Sequence, residues 1–187
     1  WQLHALRQWD QLSGLRVDYL LANSNFTAKR IWKYWRRSSE VLYPPVSVNS
    51  FRWNQPREDF YLSVCRLVPN KRVDLLVRAF NKLQLPLIVV GEGAEKSYLK
   101  ALAGPTVQIL GYQSMEKVSD LMSKCRAFVY AGIEDFGIAP VEAMASGAPV
   151  IAYGQGGVLD TVKCFTNNQN QGATGLLFSN QTVQSLV

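Results

Sequence analysis

The sequence predicts an α/β fold, a Rossmann-like parallel sheet with helices on both faces. Three observations predict it. Apolar runs of strand length recur along the chain: Phe60–Cys65, Pro86–Val90, Val107–Leu110, Ala127–Ala131, Val150–Tyr153 and Gly175–Phe178. Between them lie segments with apolar residues at helical spacing, such as Val73, Leu76, Val77 and Phe80. Strand and helix signals alternate, as they do where crossover helices join parallel strands.

In chain order, Val17–Ser24 reads as a short strand, and Ser24 or Asn25 can cap a helix over Phe26–Arg37. Glu40–Val46 is extended and is stopped by Pro44 and Pro45. Phe51–Asp59 is polar and irregular, a linker. The strand Phe60–Cys65 leads through Arg66–Lys71 into a helix ending near Leu83, and the strand Pro86–Val90 leads through Gly91-Glu92-Gly93 into a helix over 94–103. After Val107–Leu110 and Gly111-Tyr112-Gln113, Ser114 caps a helix ending near Lys124, with Val118, Leu121 and Met122 on its apolar face. After Ala127–Ala131 a loop carries Glu134, Phe136 and Gly137. Pro140 fits only the first turn of a helix, so that helix starts near Ile138 or Ala139, and Gly147 and Pro149 stop it. Val150–Tyr153 runs into a glycine-rich turn and a helix from Val158 to about Lys163. Cys164–Gly172 is polar and reads as a loop before the last strand.

A chain of 187 residues suits one domain or slightly more, and 48% apolar residues suffice for a core. No apolar run reaches the ~18 residues of a membrane span. The amino terminus has neither a signal-peptide pattern nor an initiator Met, so the chain reads as part of a longer protein. Cys65, Cys125 and Cys164 are odd in number and far apart, and His4 is the single histidine. That excludes a disulfide framework and a clustered zinc site and fits a reducing cytoplasm, where the sequons at Asn25 and Asn180 stay bare. Residues 1–57 hold nine Lys/Arg against three Asp/Glu, whereas residues 58–187 hold eleven of each. The net charge of +6 therefore belongs to the amino-terminal part and is densest over 29–37, Lys-Arg-Ile-Trp-Lys-Tyr-Trp-Arg-Arg. That stretch suits a membrane surface or a nucleic acid, and equally a helix whose aromatics pack inward while its basic groups stay solvated.

The loop after Ala127–Ala131 carries the chemistry. Open parallel sheets bind ligands just outside the carboxyl ends of their strands, and the first N–H groups of a helix there are unpaired. Glu134, Phe136 and Gly137 occupy that place, and Glu142 is expected in the first helical turn, where the helix dipole favours a carboxylate. The plain alternative is that Glu142 stabilises the helix and Glu134 is a solvated loop acid. Arg66 and Lys71 flank the end of another strand, where two cations can clamp a diphosphate or stand exposed. Gly91-Glu92-Gly93 has Lys96 where a dinucleotide fingerprint has its third glycine, which argues against a nicotinamide cofactor.

Glu134-x7-Glu142 followed by Ala-Met-Ala-x-Gly-x-Pro-Val-Ile-Ala resembles the signature of the family-4 retaining glycosyltransferases, which have the two-domain GT-B architecture. The resemblance runs from about Val17 to Phe178, with several motifs in the family's order. Two departures are Cys65, where the family usually has Gly, and Asp160, where it usually has Glu. The resemblance implies that residues 1–50 end an amino-terminal acceptor domain and that 51–187 form the donor-binding domain. It implies a nucleoside-diphosphate sugar, GDP-mannose or a UDP-sugar, as donor, and a glycan or lipid-linked sugar as acceptor. Arg66 and Lys71 are then expected to hold the diphosphate, Glu134 to orient the sugar, and Glu142 to bond the ribose. Gly91 and Gly93 would lie beside the nucleotide, Tyr112 and Val118 would line the base pocket, and the amides of Phe136, Gly137 and Ile138 would bond phosphate and sugar. No Asp-x-Asp pair occurs, so no metal site is expected, and no nucleic-acid partner either. A cytoplasmic enzyme is implied, touching the membrane at most through residues 29–37. Rival readings are a nucleotide-sugar binding module without activity and a sugar-nucleotide epimerase of the same architecture.

Overall fold

A computed structural model describes residues 2–166 and 171–187. The polar stretch 164–172 thus lies partly outside the described residues. The chain forms two compact units, Trp1–Pro45 and Val46–Val187.

The first unit contains α1 (Gln2–Gly14), β1 (Leu21–Ala22), α2 (Asn25–Trp35) and β2 (Glu40–Val41). β1 and β2 pair in parallel, Leu21 with Glu40 and Ala22 with Val41. The strand expected over Val17–Ser24 is therefore only two residues long. Ser24 caps α2 by accepting from the Thr27 amide at 3.0 Å. The aromatics of 29–37 do not all turn inward as one reading of that stretch held: Trp32 is 56% and Tyr34 55% exposed. Trp35 alone of the three is partly covered, lying against Gly14 and donating from Nε1 to Asp10 at 3.0 Å.

The second unit is built on a six-stranded sheet. Its strands are β3 (Tyr61–Val64), β4 (Leu87–Val90), β5 (Val107–Gly111), β6 (Ala127–Tyr130), β7 (Val150–Tyr153) and β8 (Gly175–Phe178). They pair in the order β5-β4-β3-β6-β7-β8, and every pair is parallel. The helices are α3 (Val73–Leu83), α4 (Lys96–Leu102), α5 (Met115–Lys124), α6 (Ile138–Ala145), α7 (Val158–Thr161) and α8 (Val183–Leu186). They divide between the faces. Leu75, Leu76, Val77 and Phe80 of α3 and Leu99 of α4 pack with Val89 and Val129 on one side. Val118, Leu121 and Met122 of α5, Ala143 of α6 and Val158 of α7 pack with Leu62 and Phe128 on the other. Sheets covered on both faces carry near-continuous apolar strands, and Ala127–Tyr130 is buried throughout.

The stretch 46–57 is irregular apart from a short turn of helix at Val48–Ser50, but it is not free. Phe51 packs against the core, and Arg57 reaches the carboxyl ends of two helices. Its guanidinium donates to the carbonyls of Met122 at 3.2 Å, Ser123 at 2.9 Å and Cys125 at 3.2 Å, and to Ser146 at 2.9 Å. Terminal helix carbonyls lack partners within the helix, and a planar fork satisfies several at once. Nothing in the sequence around Arg57 pointed to this role. Arg57→Ala should lower the unfolding free energy by about 1–3 kcal/mol, the cost of stranding buried acceptors. Urea unfolding followed by circular dichroism measures it, and an unchanged midpoint would show that water replaces the guanidinium at no cost.

Candidate functional site

The strand order reverses between β3 and β6, since β3 continues to β4 on one side and β6 to β7 on the other. The loops after these two strands therefore lead to opposite faces and leave a crevice between them. Residues 65–72 form one wall and 131–137 the other. Across the crevice Lys71 Nζ pairs with Glu134 Oε1, and the Tyr130 hydroxyl donates to the same oxygen. Lys71 closes the short helical turn Pro69–Lys71, which aims it across the crevice. The walls meet at Gly132, where a Cβ would lie 3.1 Å from Lys71 Cα and 3.2 Å from the Asn70 carbonyl.

The pair is partly withdrawn from water, with side-chain exposures of 15% for Lys71 and 30% for Glu134. Burial lowers the Lys71 pKa and Arg66 pushes the same way, while Cys65 and Asp135 oppose them. Burial, reinforced by Cys65, raises the Tyr130 pKa, so the phenol stays a hydrogen-bond donor. Burial also pushes the Cys65 thiol up to about 11 against the pull of Lys71 and Ser63, so Cys65 is protonated and inert at neutral pH. Arg66 is exposed on the same wall, and among the described residues its guanidinium has no hydrogen-bond or ion-pair partner. Tyr130 was missed in the sequence. Its signal was a lone hydroxyl ending an otherwise apolar strand at the sheet's carboxyl edge.

Gly91 and Gly93 serve first to bring two loops together. A Cβ at Gly91, whose φ is +148°, would sit 1.8 Å from the Cys65 carbonyl oxygen, and one at Gly93 would sit 2.2 Å from that of Leu67. The Leu67 amide donates to the Glu92 carbonyl at 2.8 Å, and the Glu95 amide to the Leu67 carbonyl at 3.0 Å. The loop after β4 thus braces the loop that carries Arg66. Gly156 and Gly157 brace the other wall, with added Cβ atoms 2.5 Å from the Glu134 carbonyl oxygen and 2.3 Å from that of Asp135.

The remaining expected residues divide. Gly137 stands at the start of α6 with φ +90°, Ile138 is exposed and Phe136 is buried beneath the loop. Tyr112 is 76% exposed, and its amide donates to the Glu92 carboxylate at 3.1 Å. The Val118 side chain lies in the core rather than on an open surface, because it belongs to the buried face of α5. Glu142 is the fifth residue of α6, not in its first turn, so the helix dipole offers it little. Its carboxyl is half-buried, has no partner among the described residues, and is pushed up in pKa by desolvation. Cavities of about 540 Å³ beside Arg52 and Ser119 and of about 530 Å³ beside Met144 and Phe165 lie elsewhere.

The family described as "Glycosyl transferases group 1" matches residues 48–187. The chain belongs to that family. This group 1 chain is 27% identical to an alpha-1,3/1,6-mannosyltransferase of Saccharomyces cerevisiae, across 90% of its own length and 45% of the yeast protein. It is 31% identical to a GDP-mannose-dependent alpha-mannosyltransferase of Mycobacterium tuberculosis, across 68% of its own length and 35% of that protein. It spans about half the length of the curated relatives that it matches most fully. Among solved structures, Anabaena HepE in complex with UDP and glucose aligns with a TM-score of 0.78 at 23% identity, over 94% of this chain and 53% of that one. The second unit of this group 1 protein is thus a Rossmann-like half of a GT-B fold.

The state of Glu142 has a measurable consequence. A carboxyl with a raised folded pKa stabilises the fold below its ordinary pKa and loses that contribution as pH rises through the folded value. Glu142→Gln should therefore gain stability relative to the parent as pH goes from about 4 to 7, through the ordinary glutamate range. Urea unfolding of both proteins across that range checks it. A difference, variant minus parent, that stays constant or falls as pH rises would show that the carboxylate is satisfied in the folded protein.

Proposed function

We propose that the chain is the donor-binding part of a family-4 retaining glycosyltransferase that moves a hexose from a nucleoside-diphosphate sugar to a glycan or lipid-linked acceptor. The observation that carries this reading is the Lys71–Glu134 pair spanning the crevice between β3 and β6, with Arg66 on the same wall. A diphosphate entering the crevice competes with Glu134 for Lys71 and meets the Arg66 guanidinium beside it. Glu134 is then released towards the sugar hydroxyls. As the glycosidic bond breaks with retention of configuration, charge gathers on the leaving diphosphate. Fixed cations and the amides of Gly137 and Ile138 stabilise it without rearranging. Glu142, desolvated and unpartnered, suits the ribose hydroxyls, which can donate to it. Gly91 and Gly93 shape the nucleotide side by bracing the Arg66 loop, and Tyr112, exposed at the end of β5, suits the base.

Similarity to the yeast and mycobacterial mannosyltransferases favours mannose, with GDP-mannose as donor, and the UDP complex of HepE keeps UDP-sugars in view. We assign residues 1–50 to the end of an acceptor-binding domain and 51–187 to the donor domain. Leu3, Leu6, Trp9 and Leu12 along α1 and Leu21 in β1 are exposed, which suits a piece of a larger apolar core. We place the protein in the cytoplasm, with residues 29–37 able to meet an anionic membrane surface; no described helix is long and apolar enough to cross one.

Calorimetric titration with GDP, UDP and GDP-mannose tests the donor reading. At least one should bind without added metal, and Arg66→Ala should weaken it by about 1.5–3 kcal/mol, the range of a charged hydrogen bond. No heat with any of the three, with or without magnesium, overturns it. Glu142→Gln should weaken nucleoside diphosphate and sugar nucleotide alike, whereas Glu134→Gln should weaken the sugar nucleotide selectively. Equal losses on both ligands for Glu134→Gln would remove that residue from the sugar. The 187-residue chain alone should show no acceptor-dependent turnover.

A further inference from the structure

Beneath the Lys71–Glu134 pair a second link joins the two walls of the crevice. Arg72, the residue after Lys71, has φ +52°, a left-handed conformation that L side chains other than Asn and Asp rarely adopt. Its side chain is anchored at both ends of the guanidinium. Nε donates to Asp74 at 3.1 Å, and Nη1 donates to the Gln181 amide oxygen at 3.2 Å. The Gln181 amide nitrogen in turn donates to the Ala131 carbonyl at 2.7 Å. The amide can face only one way here, because a guanidinium only donates and a carbonyl only accepts. Gln181 lies between β8 and α8, far in sequence from both walls, yet it ties the residue after Lys71 to the residue that follows β6. Ala131 leads through Gly132 and Ile133 to Glu134.

We propose that Gln181 is a positioning residue, which sets the spacing of the two crevice walls and so holds Lys71 where it meets Glu134 and the donor diphosphate. The diphosphate part rests on the donor reading above; the positioning of Lys71 does not. Two features make a link of this kind necessary. Lys71 ends a single helical turn of three residues, too short to hold a side chain rigidly by itself. The left-handed Arg72 would relax if its side chain lost its anchors, and the backbone of Lys71 would move with it.

Removing the Gln181 amide should loosen the Pro69–Arg72 turn and let water reach the Lys71 ammonium. Calorimetry of the 187-residue chain with GDP and UDP reads the first consequence. Gln181→Ala should weaken whichever ligand binds by about tenfold, the effect of one lost hydrogen bond. In a Lys71→Met background the same change should cost nothing further, since the lysine it positions is gone. Equal losses in both backgrounds overturn the proposal. The second readout needs no nucleotide. With 13C-labelled lysine, the Lys71 Cε resonance of the parent should titrate below ordinary lysine and move up towards it in Gln181→Ala. Arg66, Cys65, Tyr130, Glu134 and Asp135, the ionisable groups around the ammonium, are unchanged in that comparison. A titration identical in the two proteins also overturns the proposal, even where neither GDP nor UDP binds and the donor reading has failed. Gln181→Met keeps the volume and loses both hydrogen bonds, and it carries the same tests if Gln181→Ala does not fold. A melting temperature lowered with affinity and titration unchanged would reduce Gln181 to a structural residue.

Discussion

The structure depends on the reversal of strand order between β3 and β6 and on the ion pair that spans it. Six parallel strands need crossover helices on both faces, and the switch from one face to the other must fall somewhere in the sheet. Here it falls where Lys71 and Glu134 face each other. Opposite charges in a half-buried crevice attract strongly but also lose hydration, so such a pair is weak evidence of stability. A partly buried ion pair at the carboxyl edge of a sheet, with Tyr130 donating to it and Arg66 exposed beside it, is the feature on which the proposed donor reading rests.

Close backbone approach keeps that crevice in shape. Gly91 and Gly93 let the loop after β4 press on the Arg66 loop, and Gly156 and Gly157 do the same for the loop of Glu134. Each wall is thus supported from outside by the neighbouring strand's loop, while Arg72, Gln181 and the Ala131 carbonyl tie the walls to each other from within. At the far end of the helices Arg57 gathers the last carbonyls of α5 and the Ser146 carbonyl after α6. The site is therefore built by short polar contacts between loops, laid on an apolar frame that holds the strands in register.

The frame was legible because hydrophobic patterning is local. Apolar runs and helical spacing placed all six strands and the helices between them, since each element must bury its own apolar face. Val118 lies in the core, as the apolar spacing of α5 places it. One local inference failed. Glu142 fell past the first turn of α6, which starts at Ile138. In the first unit, Trp32 and Tyr34 point outward although their spacing with Trp35 allowed an inward face.

By itself the sequence determined the alternation of strand and helix and the loops on which the charged residues lie. These follow from residue types at short spacing, where propensity, capping and glycine act within a few positions. Only the tertiary structure decided that Lys71 meets Glu134 across 63 residues, that Tyr130 joins them, and that Gln181 reaches back to Arg72 across 109. Such pairings are set by strand order, which no local stretch encodes; the packing of both sheet faces selects it once the whole chain collapses.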